Sequence, residues 1–185
     1  MKLNFYKSIS TCFGLGYISP FPGTLTSFLT VVIIWLIQKY FGFQITLTCI
    51  FFITILGYIA IEKDVNKKSD PKEIVIDEFI GQSLVLVFLP LLWQMYILGF
   101  IFFRFFDILK PFPINLIDKK FQNSFGIIFD DIIAAIYPLL IYFLILIPFV
   151  LYPLAIFNEG EYPFFQYIGT DKIQDFYNFY YDLIH

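Results

Sequence analysis

Residues 79–103 read FIGQSLVLVFLPLLWQMYILGFIFF, 25 positions without one Asp, Glu, Lys or Arg. A helix needs about 20 apolar residues to cross the hydrocarbon core of a bilayer. The stretch is therefore either one span or a helical hairpin that turns at Pro90, with Trp93 and Gln94 at the bend. Proline inside a helix removes a hydrogen bond and clashes with the preceding turn, which favours a break at that point. Extended into the flanking sequence, the two arms run from about Val75 to Leu89 and from about Leu92 to Leu109. At about 1.5 Å per residue, each arm reaches most of the way across a membrane.

Charge elsewhere in the chain decides between the two. Three more stretches carry no charged residue: 8–38, 40–61 and 132–158. The first begins with the helix breakers Gly14, Gly16, Pro20, Pro22 and Gly23, so its helix is expected from near Thr24 to about Tyr40. The second helix is expected over Ile45–Ile61, and the last from about Asp130 to Leu151, with kinks near Pro138 and Pro148. With the hairpin, the N-terminus and the segments 62–78 and 104–131 fall on one side. That side holds Lys2, Lys7, Lys63, Lys67, Lys68, Lys72, Arg104, Lys110, Lys119 and Lys120, which are 10 of the 12 basic residues. A single span would move Arg104, Lys110, Lys119 and Lys120 to the other side and erase the bias. Because basic residues gather on the cytoplasmic side of membrane proteins, the hairpin is the better reading. The expected fold is all-α, a polytopic membrane bundle of about five helices with the N-terminus in the cytoplasm. Residues 1–151 form its membrane domain, and 152–185 form an aromatic, acidic tail at the outer interface. A signal peptide does not fit, since the Gly/Pro-rich segment precedes the first apolar run instead of following it.

Composition agrees. Of 185 residues, 59% are hydrophobic and 15% charged, too few charges to cover a small soluble domain. A net charge of −3 with no basic block excludes a nucleic-acid binder. Cys12 and Cys49 are too few for a disulfide framework, and His185, the only histidine, is the last residue.

In so apolar a chain the charged residues at helix ends need an explanation. Asp77 and Glu78 open the hairpin; Arg104, Asp107 and Lys110 follow at three-residue spacing near its end, on one helix face. Asp130 and Asp131 open the final helix. Capping and the helix dipole explain one acid at a helix start, but not two adjacent acids twice over. Adjacent carboxylates beside apolar helices are costly unless cations neutralise them. Carboxylates without His or Cys suit Mg²⁺ or Mn²⁺, and Arg104 and Lys110 are phosphate-binding types. Together these residues are suited to phosphoryl chemistry. On the same side lies the Gly/Pro loop from Gly14 to Thr24, whose helix start and hydroxyls at Ser19, Thr24 and Ser27 suit an anion.

Four motifs in order carry a resemblance to a known family. They are Ser19-Pro-x-Pro-Gly-Thr24, Asp77-Glu78-Phe79-Ile80-Gly81, Phe103-Arg104-x-x-Asp107-x-x-Lys110-Pro111-x-Pro113-Ile114 followed by Asp118, and Gly126-x-x-x-Asp130-Asp131-x-x-Ala134. Over residues 14–137 the chain resembles the phosphatidylglycerophosphatase A family. The resemblance implies a Mg²⁺-dependent phosphatase of the bacterial inner membrane that converts phosphatidylglycerophosphate to phosphatidylglycerol and phosphate. On that reading Asp77, Glu78, Asp107, Lys110 and Asp131 are catalytic, while Ser19, Gly23, Thr24, Arg104 and Lys110 bind substrate. Glu78, Asp107, Asp130 and Asp131 are the expected metal ligands, with Asp77 as the alternative or as proton acceptor. The chain departs from the family at Asn123-Ser124, where a Gly-Gly pair is usual, and at Ala134-Ala135, where Ala-Gly is.

Other chemistries lack their residues. No histidine can serve a histidine-based lipid phosphatase, and Cys-x5-Arg is absent, since Ile18 and Ile55 stand where the arginine would be. The Asp-x-Asp nucleophile of haloacid-dehalogenase phosphatases is absent, and so is the Asp-Gly-x2-Ala-Arg signature of CDP-alcohol phosphotransferases, the nearest enzymatic alternative, which also use membrane carboxylates with Mg²⁺. A small cation transporter lined with carboxylates is the alternative from another class; its acids would lie along a path through the bilayer, not at helix ends.

Overall fold

The computed structural model describes residues 5–64, 72–121 and 123–146. The tail 152–185, its boundary at 151, the kink at Pro148 and Lys2, Lys67 and Lys68 lie outside the described residues. The described part is all-helical: α1 Phe5–Ser10, α2 Pro22–Asp64, α3 Ile76–Val87, α4 Trp93–Leu109, α5 Ile114–Lys120 and α6 Ser124–Ile141, with a 3-10 turn at Leu15–Tyr17. Two compact units divide the chain, Met1–Leu139 and Leu140–His185, and the candidate site lies within the first.

The helices expected over Thr24–Tyr40 and Ile45–Ile61 both lie within α2, which breaks between them at Gly42 with φ 77° and ψ 178°. A positive φ of that kind is open to glycine and strained for a residue with a Cβ. Contacts to α3 give the direction of each arm. On the first arm Gly23 lies against Glu78 and Gln38 donates to the Val87 carbonyl, so this arm runs with α3. On the second, Gly57 meets Ile76 and Ile80, while Ile61 clusters with Ile74, Ile76 and Ile80, against which Ile53 and Leu84 pack, so that arm runs back. α2 is thus a hairpin clasping α3. Pro22, the first residue of α2, suits that position because its missing N–H would have no partner there.

Between Val87 and Trp93 the chain leaves the helix, with Pro90 in the connection. α4 then returns antiparallel to α3, since Gly99 packs on Val85, Leu86 and Leu89 and Gly81 packs on Phe103. α3 has 12 residues, fewer than the Val75–Leu89 arm expected from the sequence. α6 is antiparallel to α4, as the Phe106–Tyr137 ring stack and the Lys110–Asp130 ion pair require. Glycines stand where α3 meets the second arm of α2 and α4: a Cβ at Gly57, Gly81 or Gly99 would come within 2.6–3.0 Å of the facing side chain. Close backbone approach of this kind is how helices associate where lipid removes the hydrophobic drive.

The first arm of α2 buries a stripe that is largely polar and exposes large apolar residues. Thr26, Thr30 and Gln38 are buried with Ile34 on one stripe, while Phe28, Val32 and Leu36 are exposed on the other. On the second arm Phe51, Phe52, Ile55 and Leu56 are also exposed. Such a surface is favourable where the solvent is hydrocarbon. Pro22–Lys63 and Ser124–Ile145 are long and apolar enough to cross a membrane. The protein is membrane-associated.

Candidate active site

The helix directions bring the start of α2, the start of α3, the end of α4 and the second turn of α6 to one end of the bundle. At that end one carboxylate oxygen from each of Asp77, Glu78 and Asp131 lies within 4.8 Å of the others. Asp131 is only 4% exposed. Asp77 Oδ1, Glu78 Oε2 and Asp131 Oδ2 are buried and accept no hydrogen bond from any described residue. Three like charges this close repel strongly in a medium of low dielectric constant.

Two cations from α4 stand beside this group, each held by an acid. Arg104 Nη1 pairs with Asp107 Oδ2 at 2.7 Å and donates to Ser27 Oγ at 3.4 Å; its buried Nε has no partner among the described residues. Lys110 Nζ pairs with Asp130 Oδ2 at 2.7 Å. Lys110 is the C-cap of α4 and holds φ 42°, ψ 59°, a left-handed conformation that costs a non-glycine residue about 1 kcal/mol. A glycine would relieve that cost but would remove the ammonium that meets Asp130.

The sequence reading placed Glu78, Asp107, Asp130 and Asp131 in one ligand set. The group that converges is Asp77, Glu78 and Asp131, whereas Asp107 and Asp130 hold the α4 cations. Asp130 and Asp131 were also expected to open the last helix; instead α6 starts at Ser124 and the two acids lie in its second turn. The reason is local. Asn123 Oδ1 accepts the Gly126 N–H at 2.9 Å, the bond of an N-cap residue to the third helical position, so the helix starts earlier. The Asn-Ser pair that departs from the family pattern supplies that cap.

Among the expected substrate-binding residues, Gly23 is buried against the site: a Cβ there would lie 2.1 Å from Glu78 Oε1 and 3.2 Å from Arg104 Nη2. Ser19 Oγ accepts the Phe21 N–H at 3.1 Å within its own loop, and Thr24 is half-buried in the first turn of α2. The N-terminal segment is tied to the α3 entry by the Val75 N–H donating to the Ser10 carbonyl at 3.0 Å, and by Gly16, whose Cβ would lie 2.0 Å from the Glu73 carbonyl oxygen. Cys12 sits in this joint. Burial and the nearby Glu78 charge push its thiol up to about 12.

Residues 8–146 match the family model for phosphatidylglycerophosphatase A. The chain belongs to the phosphatidylglycerophosphatase A family. It is similar to Phosphatidylglycerophosphatase A of Haemophilus influenzae, 39% identical over 146 residues that cover 77% of this chain and 90% of the relative. To the protein of the same name from Escherichia coli it is 34% identical over 137 residues, covering 72% of this chain and 78% of that one. A third relative, described as a Putative phosphatidylinositol-3-phosphatase of Bacteroides thetaiotaomicron, is 32% identical over 143 residues, covering 70% of this chain and 86% of the relative. No solved structure matches the chain. Membership makes the protein a phosphatase, a phosphoric monoester hydrolase of lipid metabolism.

Proposed function

We propose that the chain hydrolyses the phosphomonoester of phosphatidylglycerophosphate, releasing phosphatidylglycerol and inorganic phosphate. It does so at the cytoplasmic face of a bacterial inner membrane that it crosses several times. The observation that carries this reading is the meeting of Asp77, Glu78 and Asp131 beside Arg104 and Lys110 at one end of an apolar bundle. A lipid substrate can place its phosphomonoester there while its acyl chains stay along the helices.

The donor set fits Mg²⁺. All three groups offer hard carboxylate oxygens, and three of those oxygens are buried with no other described partner. Asp77, Glu78 and Asp131 would hold the ion. When bound, it neutralises charge on the phosphoryl oxygens and favours attack by water. The other residues act on the substrate directly. Arg104 and Lys110 face the phosphoryl oxygens, where developing charge is stabilised by donors already in place. Asp107 and Asp130 fix those two cations, and the small Gly23 leaves room for the Glu78 carboxylate. In hydrolysis the water oxygen bonds to phosphorus, the ester P–O bond breaks, and the glycerol oxygen leaves with a proton that the water gives up.

Phosphate release by the purified protein tests the reading. Phosphatidylglycerophosphate, glycerol 3-phosphate and phosphatidylinositol 3-phosphate are offered separately, after EDTA treatment and again with Mg²⁺ restored. Turnover of phosphatidylglycerophosphate that EDTA abolishes and Mg²⁺ restores is the expected result. Equal turnover of glycerol 3-phosphate, or faster turnover of the inositol lipid, refutes the substrate assignment. Activity indifferent to EDTA refutes the ion, and no release from any substrate returns the transporter reading. Complementation of a bacterial strain lacking phosphatidylglycerophosphatases tests the same function in the cell.

A further inference from the structure

One helical turn deeper than the carboxylates lies a layer of polar groups that the proposed reaction does not use. Gln82 is 0% exposed, and among the described residues neither its Oε1 nor its Nε2 has a hydrogen-bond partner. Thr26, 1% exposed, has a buried Oγ1 with no partner of its own, although its backbone carbonyl accepts from Thr30. A buried amide or hydroxyl without a partner is costly, and hydrocarbon surroundings offer no water to relieve it.

The placement of these groups is specific. Gln82 follows Glu78 by four residues and Thr26 follows Gly23 by three, so each shares a helix face with its site residue. Gly23 and Glu78 touch, and their helices run the same way from that contact. Gln82 and Thr26 therefore occupy the next layer, about 6 Å along the helices towards the middle of the bundle. Beside them Ser27 Oγ already accepts from Arg104. The layer is neutral, whereas the one above it is wholly charged.

We infer that Gln82, with Thr26, recognises the free hydroxyl of the glycerol unit that joins the two phosphates of the substrate. This inference rests on the phosphatidylglycerophosphate reading. With the phosphomonoester at the carboxylates, the remainder of the head group leads back towards lipid, and its first polar group is the secondary hydroxyl of that glycerol. A hydroxyl both donates and accepts. A side-chain amide offers one group of each kind, and the Thr26 hydroxyl can do either. An acidic side chain would compete for the metal and repel the phosphates; an amide does neither. Gln82 is then a specificity-determining residue for the head group, not part of the hydrolytic machinery.

The test compares two lipids that differ in one atom group: phosphatidylglycerophosphate and phosphatidyl-1,3-propanediol phosphate, which lacks the hydroxyl. Wild-type protein should favour the natural lipid by about 10- to 100-fold in kcat/KM, the effect of one buried hydrogen bond made or left unmade. Gln82→Leu should erase that preference by losing rate on the natural lipid while retaining it on the analogue, and Gln82→Glu should lose both. A purely structural role predicts an equal loss of both activities in Gln82→Leu, with the ratio preserved, and that outcome overturns the inference. So does a wild-type enzyme that turns over the two lipids equally. If Gln82→Leu does not fold, Thr26→Val serves in its place and must reduce the same ratio. Failure of wild type to release phosphate from either lipid refutes the reaction itself, and the inference with it, and is distinct from turnover without preference.

Discussion

Replacing Gly23 by alanine separates the site from the fold. The added Cβ would lie 2.1 Å from Glu78 Oε1 and 2.8 Å from its Cδ. Restoring a contact of at least 3.0 Å moves the carboxylate by about 0.9 Å, and the nearest alternative space is limited by Arg104 Nη2 at 3.2 Å. A shift of about 1 Å in a reacting geometry can cost roughly 100-fold in rate. The backbone does not object to the change. Gly23 is the second residue of α2 and its φ is not positive, so alanine fits the conformation and is intrinsically the better helix former by up to about 1 kcal/mol. Gly23→Ala should therefore lose about 100-fold in phosphate release while its melting temperature stays level or rises. The assay is phosphate release from phosphatidylglycerophosphate at saturating Mg²⁺, alongside thermal unfolding of the same preparation. Activity within about threefold of wild type would show that Glu78 has no fixed position in the reaction. A matching loss of stability would show that the glycine serves packing instead.

Asp131→Asn removes one charge from the converging carboxylates but keeps their shape, so activity should fall by orders of magnitude and shift to higher Mg²⁺ demand; a Mg²⁺ titration of phosphate release checks it, and normal turnover refutes the role. Asn123→Ala deletes the cap of α6 and should cost about 1 kcal/mol of stability with turnover nearly unchanged, read by denaturation and phosphate release together. The Cys12 thiol, raised to about 12, stays protonated through neutral pH, so maleimide labelling of the folded protein should be slow and rise only in strong alkali, whereas a rate equal to that of free cysteine at pH 7 would contradict its burial.

The legible part of this molecule is the part that charge controls. Stretches without charge had to be helices in lipid, and Pro90 had to sit between helices, because in both cases the alternative leaves backbone groups unpaired. The convergence of acids was readable in outline, since each acid-rich motif sat at the end of its helix that the charge pattern placed on the cytoplasmic side. Its detail was not. Which carboxylates meet depends on helix rotation and on ion pairs between segments distant in sequence, such as Lys110 with Asp130. Asp130 and Asp131 resembled a helix start because an acid there suits the dipole; the true start depended on one hydrogen bond from Asn123. Gln82 gave no signal at all. A lone polar residue in an apolar run acquires meaning only once its amide is seen buried without a partner.

The arrangement of charge also gives the physical ground for a cation. Arg104 is matched by Asp107 and Lys110 by Asp130, so neither pair brings net charge to the site. What remains is the group of three, Asp77, Glu78 and Asp131, at formal charge −3 when ionised. A phosphomonoester adds further negative charge at the same point. In a region of low dielectric constant, repulsion between such charges a few ångströms apart far exceeds the few kcal/mol that head-group hydrogen bonds supply. The two α4 cations cannot be turned wholly towards substrate, because Asp107 and Asp130 would then add their own charges to the excess. On the proposed reading, substrate binds with positive charge brought from outside the described residues, and hard oxygen donors would suit a small divalent ion for that purpose. The same reasoning explains why the α4 cations are paired at all. Held by their acids, they keep a fixed geometry before substrate arrives and, on the proposed reading, leave Asp77, Glu78 and Asp131 to the ion.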